Sequence, residues 1–147
     1  MITLDIYTEK NTLHDDEKNE VASFLFRHLE QYGDPQHDIL EAINYSMGEQ
    51  DKPGGLLITA RNPAGKTVGA VVVNRTGMSG YIPEYILVYI ATDKAMRGQG
   101  TGRLLMQKAI DSADGDIALH CEPENPARHL YEKLGFSSKY IEMRLKK

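Results

Sequence analysis

A chain of 147 residues is one domain long, and at that size about two-thirds of the unfolded surface can be buried without disulfide or metal staples. Its 17 lysine and arginine residues against 21 acidic ones leave a net charge of -4, which argues against the basic footprint of a nucleic-acid partner. The single cysteine, Cys121, excludes an internal disulfide and a cysteine-built metal site, and no apolar run approaches the roughly 18 residues of a membrane span. With an acidic start, Met1-Ile2-Thr3-Leu4-Asp5, where a signal peptide carries base, the chain reads as cytoplasmic, with no membrane partner.

In chain order, Ile2, Leu4 and Ile6 alternate with Thr3, Asp5 and Tyr7, a first strand with one buried face. A helix follows, with Thr12 or Asp15 as cap, Val21, Leu25, Leu29 and Tyr32 on one face, and Gly33-Asp34-Pro35 as its stop. A second helix from about Pro35 to Met47 carries Ile39, Leu40, Ile43 and Met47 on one side. Residues 56–60 and 68–74 form a hairpin through Asn62-Pro63-Ala64-Gly65. An irregular link then leads to Glu84–Thr92, dense in β-branched and aromatic residues, as a strand apolar on both faces would be. Past residue 102, Leu105, Met106, Ala109, Ile110 and Ala113 recur at helical spacing. A short strand at Ile117–Cys121, a helix from about Asn125 to Leu134 and a last strand from Phe136 to about Leu145 complete the chain. The order β-α-α-β-β-β-α-β-α-β, with no repeat or long linker, describes a single α/β domain over residues 1–147, a mixed sheet with helices on both faces.

Between the 84–92 strand and the next helix lies Arg97-Gly98-Gln99-Gly100-Thr101-Gly102, glycine at every second position. Such a loop can bring several backbone N–H groups to one phosphate, and the helix that follows adds its own unpaired donors and dipole. It is an anion cradle, but of neither common nucleotide type. A P-loop needs a lysine and a hydroxyl directly after its last glycine, and a dinucleotide fingerprint needs Gly-x-Gly-x-x-Gly at the first strand.

Arg97-x-x-Gly100-x-Gly102 instead fits the pattern Gln/Arg-x-x-Gly-x-Gly/Ala, and Asn125-Pro126-Ala127-Arg128-His129-Leu130-Tyr131-Glu132-Lys133-Leu134-Gly135-Phe136 fits Asn-x-x-Ala-x-x-Leu-Tyr-x-x-x-Gly-Phe. With both blocks in this order the chain resembles the GNAT superfamily of acetyl-CoA-dependent N-acetyltransferases over about residues 54–145. The resemblance implies a mostly antiparallel central sheet and, with no metal, a direct attack of a primary amine on acetyl-CoA in a ternary complex. It implies that the pyrophosphate rests on the amides of Gly98, Gln99, Gly100, Thr101 and Gly102, with Arg97 or Arg103 supplying charge and Asn125 and Arg128 as further cofactor contacts. The pantetheine arm would pair with the backbone of Ile90, Ala91 and Thr92 as an added strand does, and an N–H there would stabilise the oxyanion. Tyr131 takes the role of general acid to the departing thiolate.

For the general base the residues offer Glu84 first, with Tyr85, Tyr89 and His120 as other candidates. Cys121 reads as core, since direct attack needs no acyl-enzyme. The first two helices, which wall the acceptor site in this superfamily, hold Asp15, Asp16, Glu17, Glu20, Glu30, Asp34, Asp38 and Glu41, a composition of a solvated face first and one that also suits a cationic small-molecule or peptide amine. The loop Thr76–Tyr81 is a second candidate wall. The likeness also leaves room for a homodimer through the C-terminal strand. A non-catalytic acyl-CoA sensor and an interaction domain stand as the alternatives to a transferase.

Overall fold

The alternation at the N-terminus becomes β1 (Thr3–Tyr7) in a computed structural model that describes all 147 residues. It is the edge of a five-stranded sheet with β2 (Gly55–Arg61), β3 (Thr67–Arg75), β4 (Tyr85–Thr92) and β5 (Ile117–Leu119), in the order β1-β2-β3-β4-β5. Every neighbouring pair is antiparallel except β4 and β5, which run parallel, so the sheet is mixed and mostly antiparallel as expected. The β2–β3 turn forms where Asn62, Pro63 and Gly65 stand: the Asn62 carboxamide accepts from the N–H groups of Ala64 and Lys66, and Gly65 has φ 82°.

Because strand side chains alternate, the sheet carries two cores. On one face Leu57, Ala70 and Val72 meet Val21 and Leu25 of α1 (Asp15–Leu29) and Ile39 and Ile43 of α2 (Gln36–Ser46). On the other, Ile58, Val71 and Val73 meet Leu105, Met106 and Ala109 of α3 (Thr101–Ser112) and Tyr131 of α4 (Ala127–Lys133). Each valine, leucine, isoleucine or methionine among them contributes about 1.5–3 kcal/mol on burial.

Four expectations change. His14, rather than Thr12 or Asp15, precedes α1, because its N–H donates to Oε1 of Glu17 three residues on, at 3.1 Å. The strand buried on both faces is β3, whose residues 67–74 are all buried, while β4 keeps only Tyr85, Leu87 and Ala91 buried. β3 has a long strand on either edge and helices over both faces, whereas β4 has only a three-residue neighbour on its outer side. β5 accordingly ends at Leu119 instead of Cys121. Finally, the last strand does not form: residues 137–147 have no regular structure, and Tyr140, Ile141, Met143 and Leu145 are each at least 80% exposed. The three residues of β5 offer a few ladder bonds at about 1 kcal/mol each, too little to offset ordering a strand from Phe136 to Leu145 at about 1–2 kcal/mol per residue.

Three local features place the site. The pairing of β4 with β5 covers Tyr85, Ile86 and Leu87 and then stops, so residues 88–92 have no strand on that side. In the β3 ladder Val72 pairs with Tyr89 and Val73 with Leu87, which leaves Val88 as a bulge where the two strands part. Gly69 of β3 lets α3 lie close, since a Cβ there would stand 2.8 Å from Leu105 Cδ1 and 3.3 Å from Thr101 Cγ2.

Candidate active site

The end of β4 turns into α3 through a short chain of local bonds. Asp93 Oδ1 accepts from the Ala95 N–H at 2.9 Å, opening the 3-10 turn Lys94–Met96, and residues 97–100 follow. Gly98 has φ 82°, and Gly100, which precedes α3, has φ 82° and ψ 5°. A Cβ at either would meet nothing within 4 Å, so the left-handed backbone requires glycine while the space above the loop is open. The first bond into the helix runs from the Leu104 N–H to the Gly100 carbonyl at 3.1 Å, and the N–H groups of residues 98 to 103 donate to nothing in the chain. No acidic residue stands in the first turn of α3. Six free donors at a helix N-terminus, joined to the unpaired half of β4, can hold a pyrophosphate and an extended arm leading from it.

Around this loop the structure brings together some of the expected contacts. Gly102 lies between Thr92 Cγ2 at 3.8 Å and Leu130 Cδ2 at 3.6 Å, measured from an added Cβ, so β4, α3 and α4 meet there. Ile90, Ala91 and Thr92 occupy the open half of β4. Asn125 accepts from the Ala127 N–H at 2.9 Å and so caps α4, as the sequence indicated. Arg103 is exposed and without an ion pair, whereas Arg128 pairs with Glu132 at 3.5 Å, and Arg97 turns toward α1, where it donates to the His28 carbonyl.

Tyr131 is 6% exposed, with its ring against Phe136 at 6.1 Å between centroids. Its hydroxyl has no partner in the chain and is not sealed from solvent. Burial, and then the neighbouring Cys121, push its pKa up to about 12.

Glu84 stands before β4, at the opposite end of that strand from the glycine loop. Its Oε1 accepts from the Asp116 N–H at 2.7 Å and its Oε2 from the Gly80 N–H at 3.2 Å, and these bonds hold its carboxyl below the usual range. Tyr85 nearby donates to Asp114 at 2.5 Å. Tyr89, on the open half of β4, donates to Asp34 Oδ2 at 2.6 Å, and burial, followed by that bond, raises its pKa well above the ordinary phenol value. His120 is exposed and Cys121 packs at the margin of the Tyr131 cluster.

His28 and Lys94 were not singled out in the sequence, yet both hold the loop. The buried His28 accepts at Nδ1 from the Lys94 N–H at 3.3 Å. No sequence signal marks them, because the contact joins positions 66 apart. A concavity of about 310 Å³ between α2 and residues 49–52 shares no residue with the β4–α3 loop. No group of three or more His, Cys, Asp or Glu side chains is placed to hold a metal ion, and no helix is long and apolar enough to cross a membrane.

Residues 53–138, more than half of the chain, match the family model described as an acetyltransferase (GNAT) domain. Among solved structures, the ribosomal-protein-alanine N-acetyltransferase of Brucella melitensis biovar Abortus aligns over 100% of both chains, with TM-score 0.68 and 18% identity. An aminoglycoside N-acetyltransferase in complex with CoA aligns over 100% of this chain and 96% of its own, with TM-score 0.68 and 15% identity. The ribosomal-protein-S18-alanine N-acetyltransferase of Escherichia coli covers 95% of this chain and 80% of its own, with TM-score 0.68 and 18% identity. No curated protein sequence matches the chain.

Proposed function

The chain belongs to the GNAT acetyltransferase family and is by that membership an acyltransferase, and from this premise we propose that it acetylates a primary amine by direct attack in a ternary complex with acetyl-CoA. The observation that carries the reading is the row of six unpaired N–H groups at residues 98–103, set beside the unpaired half of β4. When bound, acetyl-CoA supplies an activated thioester. The amides of 98–102 would hold its pyrophosphate with Arg97 or Arg103, while Asn125 and Arg128 flank it from the start of α4. Backbone of Ile90, Ala91 and Thr92 would bind the arm. A backbone N–H in this stretch would stabilise the oxyanion, a contribution of about 3 kcal/mol for one donor.

Tyr131 holds a proton at its hydroxyl for the departing thiolate; its raised pKa keeps it in the acid form at neutral pH. The two backbone bonds of Glu84 favour an anchoring role for that carboxylate, and its lowered pKa weakens it as a base. Solvent at the open mouth would then take the ammonium proton. Asp34, held by Tyr89 beside the open half of β4, supplies a negative point for a cationic acceptor. The neighbours named for protein alanine and for aminoglycoside acetylation support an amine acceptor, peptide or small molecule. The protein works in the cytoplasm on this reading. It forms a homodimer through residues 137–147, whose Lys139, Arg144, Lys146 and Lys147 complement Asp114, Asp116, Glu122 and Glu124 around β5.

Thermal denaturation with acetyl-CoA, followed by thiol release across a panel of amines, tests the reading. Stabilisation with thiol release is expected. Stabilisation alone would point to a sensor, and neither effect to an interaction domain.

A further inference from the structure

Arg97 heads the glycine loop, yet its guanidinium lies against the end of α1. Its Nη2 donates to the His28 carbonyl at 3.0 Å and stands 3.0 Å from Glu30 Oε1. The other Glu30 oxygen pairs with Lys94 Nζ at 3.2 Å. One carboxylate thus engages both cations at the entrance to a loop whose own amides are unpaired. Bonds from Lys94 and then Arg97 keep the Glu30 carboxyl below its ordinary pKa, so it is ionised at neutral pH. Glu30 sits where α1 breaks, with φ 56° and ψ -128°, so its position is fixed by the end of the helix rather than by the loop it neutralises. A guanidinium presents the same fork of donors to a carboxylate as to a phosphate, and a face engaged by one is closed to the other.

We propose that Glu30 is an internal counter-anion of the cradle, which holds the Arg97 guanidinium until a pyrophosphate takes it and thereby sets the affinity for acetyl-CoA. The proposal rests on the reading of the loop as the acetyl-CoA site. With the carboxylate removed, Lys94 and Arg97 face the loop uncompensated and the local potential becomes more favourable to a polyanion. With it present, binding exchanges one ion pair for another and gains correspondingly less.

Calorimetric titration of the full chain with acetyl-CoA, for the wild type, Glu30→Gln, Arg97→Ala and the double variant, provides the test. Glu30→Gln should bind about three- to fivefold more tightly than wild type, the span of a partly exposed ion pair. That gain should shrink when Arg97 is already alanine and only Lys94 is left to be freed, which a general loosening of α1 would not produce. Unchanged or weaker binding by Glu30→Gln, beside measurable binding by wild type, overturns the counter-anion and leaves the transferase reading standing. Absence of binding in every form overturns the acetyl-CoA reading and this proposal with it. A second measurement needs no variant: in wild-type protein the Arg97 guanidinium Nε–H resonance should shift as acetyl-CoA saturates the site, and a stationary resonance refutes the exchange.

Discussion

Tyr131 is a phenol placed where its ring is packed and its hydroxyl is left without a partner. Tyr131→Phe keeps the ring and its contact with Phe136 and removes only the hydroxyl with its proton, so kcat should fall by about 10²-fold while the Kd for acetyl-CoA stays within about twofold. Turnover and titration of the same preparation check this; full turnover in the variant would remove Tyr131 from the reaction. Because its pKa is raised to about 12, the neutral form contributes stability below the ordinary phenol value near 10, and that contribution is lost as pH rises through about 12. Any alkaline fall in kcat below about pH 10 should therefore persist in the residual turnover of Tyr131→Phe, and its absence there would assign the fall to Tyr131. Glu84 has the opposite sign. Its folded pKa is lowered, so its contribution is present above the ordinary carboxylate value and is lost as pH falls through the lower folded one. It also lies over Gly115, where an added Cβ would come within 2.6 Å of Oε1. Glu84→Gln should lower Tm at pH 7, by a margin that closes toward pH 3, and leave kcat within about threefold; a large loss of kcat at unchanged Tm would restore it as a base.

At the scale of elements, the cradle depends on how closely α3 approaches β3. Gly69→Ala forces Leu105 and Thr101 to yield at the first turn of α3, at a cost of about 1–2 kcal/mol. Calorimetry should show a lower Tm together with weaker acetyl-CoA binding, and a variant that loses stability but keeps its affinity would uncouple the two. The loop and the Asn125–Phe136 block were legible in the sequence because both are local: glycine marks the left-handed turns, and helical spacing marks α3 and α4. The direction of Arg97, the Asp116 amide bound by Glu84 and the pairing of Tyr89 with Asp34 were not, since they join positions 32 to 69 apart. The close approach at Gly69 left only a glycine inside a strand pattern as its signal.

Across the whole molecule, charge and apolar surface are unevenly spread. The net charge is -4, yet residues 139–147 carry Lys139, Arg144, Lys146 and Lys147 against Glu142 alone. On the same segment Ile141, Met143 and Leu145 alternate with Glu142 and Arg144, a one-faced strand pattern left exposed, while β5 has no strand on its outer edge. Sedimentation should accordingly find a dimer that loosens with salt and becomes a monomer when residues 137–147 are deleted. A full-length chain that stays monomeric at tens of micromolar would overturn the homodimer.

The burial of β3 on both faces has a further consequence, for the order in which the protein comes apart. Amide protons of β3 can exchange with solvent only when both layers open, so they report the global free energy of unfolding. Those of β5 and the outer half of β4, with a short neighbour or none, exchange through smaller openings. The two ends of this scale lie side by side across the β3–β4 ladder, so the half of the protein proposed to admit ligands can breathe on a durable frame.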